Sequence, residues 1–96
     1  MPKFVIERTV PGAGKLGASE LQAVARKACD ALDSMGPEIH WIETYVTADK
    51  LFCVFYAPDE ATLRQHSRKT GFPVDRISEV QQTINPETAD REPTQH

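Results

Sequence analysis

Residues 39–56 read IHWIETYVTADKLFCVFY and decide the fold. β-Branched and aromatic residues dominate both halves of this stretch, which predicts an antiparallel hairpin with its turn at Ala48 and Asp49. This register gives two cross-strand sets: Ile42, Thr44 and Val46 opposite Phe55, Cys53 and Leu51, and Trp41, Glu43 and Tyr45 opposite Tyr56, Val54 and Phe52. Both sets are largely apolar. The first can pack under helices, whereas the second implies a partner subunit or a ligand as its cover.

The sequence on either side of the hairpin predicts two helices and two further strands. Residues 4–10 alternate as a strand does, and the apolar residues from Leu21 to Met35 repeat at helical spacing, after a capping-box pattern at Ser19 and Gln22. Pro58, Asp59 and Glu60 predict the start of a second helix that ends near Gly71. Residues 77–84 predict a closing strand.

This order of elements predicts an α+β fold of the ferredoxin-like βαββαβ type, with a four-stranded antiparallel sheet and both helices on one face. The second face of the sheet is then open. We expect the domain to span residues 1–84. Residues 85–96 carry two prolines and no periodic apolar pattern, so we expect an extended or mobile C-terminal tail.

Composition narrows the classes of partner. The chain has 96 residues and a net charge of −3, with its basic residues scattered, which argues against nucleic acid and against an anionic membrane as partners. No segment has the length and hydropathy of a signal peptide or a membrane span, so we expect a cytoplasmic protein. Cys29 and Cys53 are then expected to be free thiols.

One motif suggests a nucleotide site that the rest of the chain does not support. Residues 12–17, GAGKLG, match the G-x-G-x-x-G pattern between a strand and a helix. A dinucleotide fold needs a parallel strand next, whereas this chain continues into an antiparallel hairpin. Leu16 also stands where a phosphate-binding loop needs Ser or Thr. We interpret the segment as a flexible turn.

Nitrogen, sulfur and carboxylate ligands for a metal ion are present, but not in any standard spacing. The candidate ligands are His40, His66, Cys53 and Glu43. The chain has no C-x-x-C, H-x-x-x-H or H-E-x-x-H pattern, so separate elements would have to assemble a site. Cys53 and His66 are expected to meet under the second helix, where they could bind nickel or zinc. The alternative is a buried thiol beside a hydrogen-bonded histidine.

The open face offers a second candidate site. Alternation places Glu7 of the first strand there, together with Glu43, Trp41, Tyr45 and Tyr56. Carboxylates among aromatic rings could act as an acid, a base or ligands of a hard metal. The alternative is that they lie at the rim of a dimer interface.

Six segments resemble a known family: residues 4–8, FVIER; 39–47, IHWIETYVT; 50–54, KLFCV; 57–60, APDE; His66; and 71–73, GFP. They resemble small ferredoxin-like proteins of a nickel-binding family, most of whose members have no assigned function, and the resemblance covers about residues 3–88. It implies a homodimer that binds nickel at the dimer surface, with a role in sequestration or detoxification. It assigns no ligand residues, and three histidines argue against high-capacity storage.

Two hypotheses follow. The first is a homodimer, formed through the open sheet face, that binds nickel or another divalent ion and is not an enzyme. The second resembles the dimeric ferredoxin-like barrels, in which Trp41, Tyr45 and Tyr56 hold a small organic molecule on the open face and Glu7 or Glu43 moves a proton.

Overall fold

The computed structural model describes residues 1–91 of the chain. Its elements, in chain order, are β1 (Lys3–Thr9), a short 3-10 helix (Ala13–Lys15), α1 (Ala18–Met35), β2 (His40–Val46), β3 (Lys50–Tyr56), α2 (Glu60–Thr70), β4 (Arg76–Glu79) and a second 3-10 helix (Pro86–Asp90). The last element lies within the predicted C-terminal tail, of which residues 92–96 are outside the described part of the chain. Within residues 1–91, no helix combines the length and the apolar character that crossing a membrane requires.

The four strands form one antiparallel sheet in the order β2-β3-β1-β4. This is the ferredoxin-like arrangement, so the predicted fold is confirmed. Each βαβ half places its crossover helix over the same face of the sheet, which we call the covered face. The other face, which carries no helix, is the open face.

A β-bulge in β2 changes which side chains share a face. From Glu43 to Val46 the strand pairs with β3 in the predicted register, but Ile42 is an extra residue. The bulge shifts Trp41 from its predicted place opposite Tyr56 to a place opposite Phe55, and it pairs His40 with Tyr56. The prediction that Trp41 lies on the open face was therefore wrong. Trp41 lies on the covered face, and His40 lies on the open face.

The core lies between the sheet and α2. Its fully buried side chains come from alternate positions of β1 and β3 and from the inner side of α2; they include Phe4, Ile6, Cys53, Phe55 and Leu63. Helix α1 contributes less, because Ala28 is the only residue of that helix that is fully buried. The larger apolar residues of α1, such as Leu21 and Val24, are only half-buried. The covered face is thus densely packed under α2 and loosely packed under α1.

Both helices end where the sequence indicates, but α1 begins one residue before the predicted cap. Gly17 is the N-cap of α1, and its amide donates to the Glu20 carboxylate at 3.2 Å. The predicted capping box at Ser19 is therefore wrong. Gly36 and Gly71 end α1 and α2 with positive φ angles of 89° and 78°, a backbone region that glycine enters without a steric penalty.

The closing strand is shorter than predicted. β4 ends at Glu79 rather than Ile84, because its partner strand β1 begins at Lys3, whose carbonyl accepts from the Val80 amide at 2.8 Å. Ile84 is 76 % exposed.

The glycine-rich segment has a structural role. The amides of Gly12 and Gly14 donate to the Asp49 carboxylate at 2.9 Å and to the Ala48 carbonyl at 3.0 Å. A Cβ at Gly14 would lie 3.0 Å from the Ala48 Cα, so any other residue here would have to push the β2–β3 turn away. The segment therefore packs on the β2–β3 turn, and two of its amides are already hydrogen-bonded within the chain.

The burial of Leu63 predicts a stability difference between two aliphatic truncations. Leu63 has no exposed surface, so Leu63→Ala should lower the free energy of unfolding by about 2–5 kcal/mol through lost burial and a residual cavity. The matched truncation of an exposed residue, Ile84→Ala, should change it by less than about 0.5 kcal/mol. Urea unfolding of both variants measures the difference. Equal losses of unfolding free energy in the two variants would contradict the burial of Leu63.

The N-cap of α2 predicts a pH-dependent contribution to stability. The Asp59 carboxylate accepts hydrogen bonds from the Thr62 hydroxyl at 2.7 Å and the Thr62 amide at 2.8 Å, and these bonds lower the pKa of Asp59. A carboxylate with a lowered pKa in the folded state stabilises the fold at neutral pH and loses that contribution as the pH falls through its folded-state pKa. On acidification from neutral pH, the wild-type protein should therefore lose more stability than Asp59→Asn does. The amide side chain of this variant keeps the cap.

Thermal melts at a series of pH values measure this difference. Asp33→Asn makes the same substitution at an exposed position within α1 and is the control. An Asp59→Asn difference that stays constant with pH would contradict the assigned cap.

Candidate functional site

The four metal-ligand candidates divide between the two faces of the sheet. Cross-strand partners point to the same side of a sheet, so His40 and Glu43, opposite Tyr56 and Val54, lie on the open face. Cys53 lies on the covered face, where His66 of α2 is also buried. The sheet therefore separates two candidate ligands from the other two.

On the covered face, a cavity of about 330 Å³ lies between the sheet and the helices. Most of its lining is aliphatic or aromatic and comes from α1, β2, β3 and the loop after α2. The lining residues are Arg8, Val10, Leu16, Leu21, Val24, Ala25, Ala28, Trp41, Thr44, Val46, Leu51, Cys53, Phe55, His66, Phe72 and Pro73. The cavity results from the loose packing of α1. The indole N–H of Trp41 already has a partner within the cavity wall, because Nε1 donates to the Thr44 hydroxyl at 3.0 Å.

Arg8 is the charged residue of this cavity, and none of its surface is exposed. Its Nη1 donates to the Ser67 hydroxyl at 3.1 Å and to the Pro73 carbonyl at 2.9 Å, and its Nε donates to the Cys53 sulfur at 3.5 Å. The guanidinium also lies 5.7 Å from the centre of the Phe72 ring. Within residues 1–91, its Nη2 is buried without a hydrogen-bond partner.

His66 is the second buried polar group of the cavity wall. Its Nε2 lies 3.1 Å from the Ala28 carbonyl, and its ring packs edge-on against Phe55 with centroids 5.4 Å apart. Burial lowers the pKa of His66, and the nearby charge of Arg8 lowers it further, although the bond to Ala28 acts in the opposite direction. The ring is therefore neutral at pH 7, with its proton on Nε2. Its Nδ1 is a free acceptor among the described residues.

Cys53 and His66 do line one cavity, but their surroundings do not suit a metal ion. A cation between them would lie beside a buried guanidinium, and like charges repel strongly where water is excluded. The Cys53 sulfur already accepts from Arg8, and His66 Nε2 already donates to Ala28. The covered-face pair fits the alternative of a buried thiol beside a hydrogen-bonded histidine.

The open face holds the remaining ligand candidates, His40 and Glu43, and both are exposed. The Tyr45 hydroxyl donates to Glu43 Oε2, and this hydrogen bond, together with the carboxylate charge, raises the pKa of Tyr45. Tyr45 thereby orients the Glu43 carboxylate while leaving Oε1 available.

The hypothesis of an organic ligand on the open face can no longer include Trp41, because that side chain lies on the covered face. Its other members, Glu7, Tyr45 and Tyr56, are on the open face. Glu7 forms an ion pair with Lys50 at 3.6 Å, and Lys3 lies 5.8 Å from the centre of the Tyr56 ring. Glu7 and Tyr56 thus already have cationic neighbours.

Within residues 1–91, the side chains of His, Cys, Asp and Glu form no group of three or more that could hold a metal ion. His96 lies outside the described residues. One described chain therefore offers at most a partial metal site. Sequence reasoning missed Arg8, although the alternation Phe4, Ile6, Arg8 places that residue on the covered face.

Comparison with known proteins identifies the family. Residues 4–80 match the family described as nickel responsive protein SCO4226-like. The chain belongs to this family. The family resemblance stated from the sequence is thereby confirmed.

A solved structure has the same fold as this chain. The crystal structure of SCO4226 from Streptomyces coelicolor A3(2) superposes with a TM-score of 0.68 at 17 % sequence identity, covering 85 % of this chain and 99 % of that one. Identity at this level supports the shared fold alone. No curated protein matches the sequence significantly.

The two cysteines predict unequal thiol reactivity. Cys29 is exposed on α1, and Cys53 is buried, so in the native protein a disulfide reagent should modify Cys29 quickly and Cys53 only as the fold opens. Absorbance of the released chromophore should show one fast thiol natively and two after denaturation. Cys29→Ser should remove the fast phase and Cys53→Ser should keep it. Two fast native thiols would contradict the burial of Cys53.

Proposed function

We propose that this protein is a nickel-binding homodimer that holds its metal on the open face of the sheet through His40 and Glu43. Membership of a nickel-responsive family supports the choice of metal. Imidazole nitrogen and carboxylate oxygen are donors that nickel accepts in tetragonal sites. A role in nickel sequestration or homeostasis follows, and the free thiols suit the reducing cytoplasm.

The observation that carries this proposal is the β-bulge at Ile42. Residues three apart on a regular strand point to opposite faces, so His40 and Glu43 would be separated by the sheet. The extra residue in β2 brings them to the same face. β-Bulges commonly re-aim a side chain next to a functional site.

A second copy of the chain supplies what one chain lacks. His40 and Glu43 are two donors, and a tetragonal site needs at least four. Two chains related by a two-fold axis place the same residues at one interface, so a dimer offers two imidazoles and two carboxylates. The open face also exposes large side chains, with Tyr45 56 % and Tyr56 38 % exposed. Burying these rings between two copies favours association.

Tyr45 takes a supporting role in this proposal. Outer hydrogen bonds to a ligating carboxylate fix its orientation and affect metal affinity. The Tyr45 hydroxyl donates to Glu43 Oε2, so Oε1 is left for the metal. Tyr45→Phe should therefore weaken nickel binding less than Glu43→Gln.

Calorimetric titration of chelator-treated, tag-free protein with nickel tests the proposal. We expect one nickel ion per two chains and a higher melting temperature, because a ligand that binds only the folded state stabilises it. His40→Ala and Glu43→Gln should each weaken binding by more than roughly tenfold, since even loss of an outer partner costs about 10- to 100-fold.

Variants of the covered-face pair are the matched controls. His66→Ala and Cys53→Ser should bind nickel as wild type does, provided that thermal melts show them folded. Sedimentation velocity with and without nickel measures the dimer. Loss of binding in the covered-face variants with retention in His40→Ala would place the metal on the other face and refute the proposed ligands.

A further inference from the structure

We propose that the cavity on the covered face binds a small organic carboxylate, whose apolar body fills the cavity and whose carboxylate pairs with Arg8. This site is separate from the proposed metal site, because the sheet lies between them. It also differs from a pocket on the open face, since its wall is formed by the helices and by the opposite side chains of β2 and β3.

The buried guanidinium is the first argument. A buried charge is normally paired with an opposite charge, because desolvation without a partner is costly. The lining of this cavity contains no Asp or Glu, and the hydrogen-bond partners of Arg8 are the Ser67 hydroxyl, the Pro73 carbonyl and the Cys53 sulfur, none of which is a carboxylate. Within residues 1–91, Nη2 has no partner. Because no surface of Arg8 is exposed, side chains of the cavity wall must shift for a carboxylate to reach Nη2, where it would supply the missing acceptor and an opposite charge.

The apolar lining is the second argument. The cavity wall is mainly Leu, Val, Ala and aromatic side chains, which bind a hydrocarbon surface and offer little to an inorganic anion. Its volume of about 330 Å³ is roughly twice that of an apolar cavity of about 150 Å³ that accommodates benzene. A carboxylate with a medium-length alkyl chain or one to two rings matches this space.

The polar groups of the wall also favour an anion over a cation. His66 is neutral, so Arg8 sets the sign of the local charge. The Nδ1 of His66 is a second buried polar atom without a partner among the described residues. It accepts hydrogen bonds, so a hydroxyl group on the ligand could use it.

Some side chains of the cavity wall are partly exposed, and we expect a ligand to enter beside them. Val46, at the end of β2, is 41 % exposed, and Leu16 and Phe72 are half-buried. Helix α1 is held by few buried side chains and can move to admit a ligand more easily than α2 can.

Octanoate is the probe for the first test, with 1-octanol as its neutral counterpart and acetate as its charged counterpart without a hydrocarbon body. Trp41 is the single tryptophan of the chain and lines the cavity, so its fluorescence reports occupancy directly. We expect octanoate to change the Trp41 emission saturably and to raise the melting temperature. Octanol and acetate should each bind at least roughly tenfold more weakly.

Two kinds of variant test the location. Arg8→Gln should weaken octanoate binding by roughly 10- to 100-fold, as expected for loss of a charged hydrogen bond. Ala25→Leu adds volume inside the cavity and should also abolish binding, which keeps the test informative if Arg8→Gln fails to fold. Ala23→Leu makes the same change on the exposed side of α1 and is the control that should bind as wild type does.

Several results would overturn the proposal. Equal affinities for octanol and octanoate would show that Arg8 does not pair with the ligand. Equal affinities for acetate and octanoate would show that the apolar wall does not contribute to binding. Unchanged binding in Ala25→Leu would place the ligand elsewhere. The absence of any saturable change with octanoate would show that the cavity takes no such ligand.

Discussion

A buried guanidinium has to be hydrogen-bonded or neutralised, and Arg8 imposes that requirement on much of this domain. Its side chain joins β1 to Cys53 of β3, to Ser67 of α2 and to the Pro73 carbonyl of the following loop. These contacts fix how α2 sits on the sheet. The charge of Arg8 adds to the effect of burial, which lowers the pKa of His66, and it makes the space under α1 unsuitable for a metal ion. One arginine thus determines the chemistry of the whole covered face.

The second constraint is the bulge in β2, which decides what the two faces display. Without it, His40 would point toward the helices and Trp41 would lie on the open face. With it, Trp41 becomes part of the cavity wall, where its indole donates to Thr44, and His40 joins Glu43 on the open face. A local irregularity of one residue therefore improves the apolar lining on one side and gathers candidate ligands on the other.

The order of elements could be predicted from the sequence because its signals are local. Glycines at positions 36 and 71 end the helices, and alternation in residues 50–56 identifies β3. The bulge could not be predicted, since Ile42 is an ordinary β-branched strand residue and nothing around it marks an extra position. Alternation from Phe4 and Ile6 could have placed Arg8 on the covered face, but the cavity beside it depends on the separation between α1 and the sheet, which no local pattern encodes. The short β4 likewise depends on pairing with β1.

The separation of the candidate residues by the sheet has a chemical consequence. Cys53 and Val54 are neighbours in β3, yet their side chains point to opposite faces, so ligands chosen by residue type alone need not meet. The open face collects carboxylates, an imidazole and exposed tyrosines, a set that suits a divalent cation and a second subunit. The covered face collects a guanidinium and hydrocarbon, a set that suits an organic anion. The proposed cation site and the proposed anion site can therefore coexist in one small domain, because the sheet keeps the two environments apart.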